Sequence, residues 1–226
     1  MLIRSISDMI YIPIGLSCAV PFAIKHAELR KAAYPFDWLF SPSKTTLAIL
    51  KKLFEEGIDA AIEYMWSGWT YHQWQGPSEN FLPVNMVARA KINTTTGLGI
   101  THYNLNDEYR QKLKRRFERF LEDIQNKEDQ VILIYSDCAA PDQNYSISSV
   151  PMGLDASSDL EEIYQLLRSK NDKIKVWYFC WPERYKQSNN VEHIVFQHQN
   201  GWANVLKIIS KHIKDFEHKN FTKTIF

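Results

Sequence analysis

The sequence predicts a single α/β domain: three layers, with a mostly parallel sheet carrying helices on both faces. Three observations carry this. Short apolar runs rich in β-branched and aromatic residues recur along the chain, the clearest being Val131-Ile132-Leu133-Ile134-Tyr135, and unbroken runs of this kind suit strands covered on both faces. Between them lie segments with helical periodicity. No internal repeat or low-complexity linker divides residues 1–226, although an aromatic loop and a hairpin at about 64–103 look inserted.

Taken in order, Met9 to Ile14 reads as a strand, with Pro13 pointing to an edge and Gly15-Leu16-Ser17 closing it. Val20, Phe22, Ala23, Ala27 and Leu29 then suit a helix with Ser17 as N-cap and Pro21 in the first turn. Pro35 to Phe40 interrupts the pattern. Ser43 opens a second helix, its apolar face Leu47, Leu50, Leu53 and Phe54, stopped by Gly57. Tyr64 to Trp74 is aromatic and irregular, and Val84 to Ile92 with Leu98 to Tyr103 forms a hairpin around Asn93 to Gly97. Asn106 to Gln125 is a helix with Tyr109, Leu113, Phe117, Leu121 and Ile124 on one face and Arg115, Arg116 and Arg119 outside it. After the Val131 strand, Ser158 and Glu161 form a capping box and begin a helix. Ile174 to Phe179 is a second central strand, Val191 to Phe196 a further one, and Trp202 to Ile213 a last helix.

Composition narrows the function. With 27 Lys plus Arg against 26 Asp plus Glu, the net charge of +1 provides no field to attract nucleic acid or an anionic membrane. No stretch is long and apolar enough to span a bilayer, and the start lacks the pattern of a secretory signal. The three cysteines, Cys18, Cys138 and Cys180, are odd in number and have no zinc-ligand spacing, so a reducing, cytoplasmic setting fits best. No Walker loop, dinucleotide fingerprint or metal-ligand pair is present, and no cofactor is expected.

Cys18 is the leading candidate for chemistry. It stands where the first strand hands over to the first helix, and in parallel sheets sites gather at the carboxyl ends of strands. Helix-start N–H groups and the helix dipole favour a thiolate, and the same N–H groups can hold an oxyanion. The competing reading is a small buried hydrophobe. A nucleophilic cysteine needs a base. His102, at a strand end before the Asn106 helix, is the first choice and His198 the second; His26, His212 and His218 read as exposed, and His72 and His193 carry no signal.

The residues Ile14-Gly15-Leu16-Ser17-Cys18, Leu29-Arg30 and Tyr34-Pro35-Phe36-Asp37-Trp38-Leu39 resemble the opening of the DUF1796 family of putative papain-like cysteine peptidases. The His102 segment and the following helix with its Arg-Phe pairs resemble the family's later part. The resemblance implies Cys18 as nucleophile and His102 as base. Tyr103 stands where the family pattern has an Asp, which leaves Asn104, or else Asp107, to orient the imidazole. The label also implies a papain-like α+β fold as the alternative to the doubly wound sheet that the element order indicates.

Ser17, Arg30, Asp37, Trp38 and Asp137 complete the candidate site as substrate-binding residues. For Asp37 a buried ion pair with Arg30 is the favoured reading, and Asp137 ranks second by its strand-end position. Trp66, Trp69, Tyr71 and Trp74 can form a glycan- or peptide-stacking surface or a satellite hydrophobic cluster. Lys112, Lys114, Arg115, Arg116 and Arg119 read as a solvated helix face diluted by Glu118, Glu122 and Asp123. The expected activity is a cysteine hydrolase or acyltransferase acting on an amide or ester of a small molecule, peptide or glycan. The rival is a non-catalytic binding module using the Trp segment; an SGNH-like esterase lacks its Ser after the first strand and a late Asp-x-x-His pair.

Overall fold

A computed structural model describes residues 9–16, 18–71, 91–93, 95–100, 105–137, 146–147, 150–151, 156–182, 185–196 and 202–225. In chain order these form β1 (Met9–Gly15), α1 (Ala19–His26), β2 (Leu39–Phe40), α2 (Ser43–Glu56), α3 (Ile58–Trp66), β3 (Trp69–Tyr71), β4 (Lys91–Asn93), β5 (Gly99–Ile100), α4 (Asp107–Gln125), β6 (Gln130–Ser136), β7 (Ser146–Ile147), β8 (Val150–Pro151), α5 (Ala156–Arg168), β9 (Ile174–Cys180), β10 (Val191–Val195) and α6 (Trp202–Ile225).

The core is a four-stranded parallel sheet in the order β1-β6-β9-β10. Side chains alternate across it as the strand period requires. Ile10, Ile12, Ile14, Val131, Leu133, Ile174 and Val176 face one side, where they meet α2, α4 and α5 through Leu50, Leu53, Phe117, Phe120, Leu160 and Leu167. Tyr11, Ile132, Ile134, Trp177 and Phe179 face the other, against Val20, Ala23 and Ile24 of α1 and Val205, Ile209 and Ile213 of α6. The three-layer α/β arrangement is therefore what the chain adopts, and the α+β alternative is not. A small antiparallel sheet, β2-β5-β4-β3, sits beside the core.

Several local expectations shift. Cys18 itself, not Ser17, is the residue before α1, and its side chain makes no capping hydrogen bond. Residues 64–66 and 69–71 are not irregular: they close α3 and form β3. Of the anticipated hairpin, β4 and β5 are seen, held by Asn93, whose Oδ1 accepts from the N–H groups of Thr95 and Thr96 at 3.0 Å. Arg116 is 9% exposed rather than on the solvated face, because α4 is covered on both flanks. His212 packs edge-on against Trp177 and Phe179 instead of pointing outward, and burial holds its imidazole below the usual histidine range.

The end of β1 is the tightest joint. Gly15 has φ +137°, and a Cβ there would overlap the Ser41 carbonyl oxygen and lie 2.7 Å from a Tyr135 ring carbon. Gly57, at φ +95°, has nothing within 4 Å of such a Cβ. Gly15→Ala should therefore cost about 3 kcal/mol or more, from backbone strain and overpacking together, and Gly57→Ala about 1 kcal/mol, from backbone strain alone. Urea denaturation of the two variants checks the ranking; equal losses would refute it.

Candidate active site

Cys18 sits one step beyond this joint. Leu16 is fixed on both backbone sides, its N–H donating to Ser136 O at 3.3 Å and its carbonyl accepting from Ser41 N–H at 2.9 Å. Cys18 has helical angles, φ −65° and ψ −3°, and its carbonyl accepts from Phe22 N–H at 3.2 Å. The thiol is half-buried at the carboxyl end of the sheet. Burial pushes it up to about 11, and the opposing hydrogen bond from its own main chain is weaker. The sequence-based expectation of a lowered thiol pKa is thus reversed: removal from water outweighs the helix start, and the resting group is a neutral thiol.

A continuous strip runs from Cys18 along one side of α1. Phe22, one turn on, packs edge-on against Trp38 with centroids 4.5 Å apart. The Arg30 guanidinium lies 5.4 Å from the Trp38 ring centroid. Arg30 Nη2 donates to Asp37 Oδ2 at 2.5 Å and its Nε donates to Ala32 O at 3.2 Å. Asp37 is 0% exposed, so the favoured reading of it as a buried ion pair holds. Burial raises its carboxyl above the usual range against the pull of Arg30 and Arg116. Trp38 has φ +66°, which turns its indole out of the buried run on either side of it.

Asp137 is 2% exposed and accepts from the Tyr178 hydroxyl at 2.9 Å, which aims it at the sheet interior. Burial and that carboxylate hold the Tyr178 phenol protonated far above its usual range. Sequence reasoning missed a pair at the α5–β10 joint: Ser157 Oγ is 3.1 Å from His193 Nε2, while His193 Nδ1 is 3.0 Å from Val191 O. Only the strand alternation, which puts His193 on the face of β10 that meets α5, could have signalled it. Ser17, His102, Asn104, His72, Trp74, Cys138 and His198 lie outside the described residues.

The described part of the Trp segment packs inward. Trp66 stacks on Tyr109 at 6.3 Å, and Trp69 Nε1 donates to Met65 O at 2.7 Å. Much of the basic helix is paired: Lys112 with Glu108 at 2.6 Å, Lys114 with Asp59 at 3.1 Å, and Arg119 donating to Ala33 O at 2.7 Å.

Residues 9–152 match the family described as putative papain-like cysteine peptidase, DUF1796. The chain belongs to the DUF1796 family. The matched region contains Cys18, Arg30, Pro35 to Trp38 and His102. No curated protein matches the chain, and no solved structure does. Among the described residues no helix is long and apolar enough to cross a membrane.

Iodoacetamide should alkylate Cys18 more slowly than a free thiol at neutral pH, with a rate that climbs about tenfold per pH unit toward about 11; peptide mapping across pH reads this, and a plateau near neutrality would refute it. Arg30→Ala should destabilise the fold by about 3 kcal/mol at pH 7, since it strands a buried carboxylate. Asp37 already titrates above its unfolded value, so the folded state binds its proton more tightly. Stability from this group is present at acid pH and lost as pH rises through the folded pKa. The deficit of Arg30→Ala should therefore shrink as pH falls toward 4; chemical denaturation at both pH values measures it.

Proposed function

We propose that this DUF1796 member is a cysteine-dependent hydrolase of amide or ester bonds, with Cys18 as nucleophile, His102 as base and Asn104 orienting the imidazole. Family membership supports the peptidase role at the coarse level. The observation that carries the reading is a half-buried thiol at a helix start on a strand end. Further support for His102 is topological: Ile100, two residues before it, pairs with Leu39, the neighbour of Trp38 in the Cys18 strip. Ser17, next to the thiol, belongs to the substrate-binding set.

The raised thiol pKa shapes the mechanism. A neutral thiol attacks well only if its proton leaves as the bond forms, so His102 accepts the proton from Sγ while Sγ adds to the carbonyl carbon. Main-chain N–H groups at the start of α1 hold the oxyanion. Collapse expels the amine or alcohol, which takes the proton from His102, and leaves a thioester on Cys18. Water, deprotonated by His102, then hydrolyses that thioester. Acyl transfer would replace this water by another acceptor.

p-Nitrophenyl acetate tests the scheme. It should place one acetyl group on Cys18, seen by peptide mass mapping. Cys18→Ala should abolish the label, and His102→Ala should slow it about a hundredfold or more. Labelling that survives Cys18→Ala at the wild-type rate would overturn the proposal.

A further inference from the structure

We infer that the cavity at the start of β9 and β10 is a binding site for a small zwitterion of the amino-acid type, its carboxylate meeting Lys175 and its ammonium Glu192. The cavity lies at the opposite end of the parallel sheet from Cys18, and the inference does not rest on the chemistry proposed there.

Strand register creates the cavity. β9 pairs with β6 from Ile174 onward, but with β10 only from Val176, which stands opposite Val191. Ile174 and Lys175 therefore have a strand on one side only, and the sheet is notched on the other. A cavity of about 450 Å³ occupies this notch, a size usual for small-molecule sites. Because the sheet is interrupted there, residues of both faces line it. Tyr164, Ile174, Val176 and Val191 are its buried members, and Lys175, Asn189 and Glu192 its exposed ones.

The rim is preorganised. Glu161 of α5 accepts from Ser188 Oγ at 2.8 Å, from Gln165 Nε2 at 3.0 Å and from the Asn190 side-chain amide. Ser188 Oγ in turn accepts from the N–H groups of Asn190 at 3.1 Å and Val191 at 3.0 Å. One carboxylate thus ties the loop before β10 to α5, and a ligand meets a rim that needs no ordering.

The charges name the ligand class. Lys175 lies two residues before Trp177, and Glu192 is in register with Trp177, so all three share the face toward α6. Lys175 Nζ lies 5.2 Å from the ring centroid of Phe216 on that helix. Among the described residues, neither the Lys175 nor the Glu192 side chain has an ion-pair or hydrogen-bond partner. A simple anion would be drawn by Lys175 and repelled by Glu192, and a simple cation the reverse. A ligand carrying both charges satisfies both. Neighbouring strands lie about 4.8 Å apart, a spacing that the two charged groups of an amino acid can bridge. Ile174, Val176 and Val191 suit an aliphatic side chain behind them.

NMR titration of the ¹⁵N-labelled protein at slightly acid pH tests the site through the backbone amides of Ser188 to Glu192. The probes are L-leucine, L-leucinamide, which lacks the carboxylate, and N-acetyl-L-leucine, which lacks the ammonium. L-leucine should shift these amides saturably and bind about tenfold or more tighter than either analogue. Glu192→Gln should bring the preference over N-acetyl-L-leucine toward one, and Lys175→Gln the preference over L-leucinamide. Each variant should leave the other preference standing, with melting curves establishing that both are folded. Absence of a saturable shift with millimolar L-leucine, equal binding of the three probes by the wild-type protein, or preferences unmoved by both substitutions would overturn the site. The wild-type comparison decides the matter even if a variant fails to fold.

Discussion

The end of β1 is the constraint on which the remaining architecture depends. At Gly15 the absence of a Cβ lets the Ser41 carbonyl and the Tyr135 ring approach the backbone together. Around that contact lies a closed polar network. Thr46 Oγ1 bonds Ile14 O at 2.9 Å and lies 2.7 Å from Ser41 Oγ, and Ser43 N–H donates to the Tyr135 hydroxyl at 3.1 Å. Each bond would contribute only about 1 kcal/mol by itself. Together they fix the first turn of α2 to the ends of β1 and β6, so the chain leaves β1 in one direction, toward Cys18. Ser41, Thr46 and Ser43 are buried polar residues that the network satisfies, as burial requires.

That placement sets two physical effects against each other at the sulfur. A helix start typically favours a nearby anion by 0.3–1 kcal/mol, and the effect fades within a turn. Loss of water around a half-closed thiol acts in the opposite sense and is stronger here, which is why the thiol rises to about 11. A thiol held protonated in this way has little thiolate character at neutral pH. Such a group is protected from adventitious alkylation and oxidation, both of which follow thiolate character. The same position, a helix start from which water is largely removed, thus holds Cys18 as a protonated thiol.

How much of this was legible in the sequence follows from which signals are local. The parallel strands were readable because Val131 to Tyr135 is apolar on both faces and Ile174 to Phe179 is so from Val176 onward, a pattern helices of that length do not need. Asn106 was readable as a helix start because its side chain accepts from Tyr109 N–H at 2.9 Å, a four-residue interaction. The Arg30–Asp37 pair was legible because a carboxylate between Phe36 and Trp38 must find a cation. What failed was non-local. Arg116 looked solvated on a helical wheel, but α4 has neighbours on two sides. His212 looked exposed because nothing in its own helix reveals Trp177 behind it. The thiol pKa differs from the local expectation because the helix start is written in the sequence, whereas the degree of burial of the sulfur is a property of the fold.

The Tyr34-to-Trp38 motif shows how such non-local support is organised. Its residues are not independent contributors. Tyr34 donates to Asp123 at 2.6 Å and Arg119 donates to Ala33 O at 2.7 Å, so α4 anchors the start of the motif. Asp37 N–H then bonds Tyr34 O and Leu39 N–H bonds Phe36 O, each at 3.2 Å, forming consecutive tight turns. With the backbone so held, Asp37 turns inward to Arg30 and Trp38, at positive φ, turns outward toward Phe22. One carboxylate therefore positions both the cation and the ring that flank Cys18. A substitution at Asp37 would move the Trp38 ring as well as the charge, which makes the buried ion pair a positioning element for the surroundings of Cys18 rather than a stabilising contact alone.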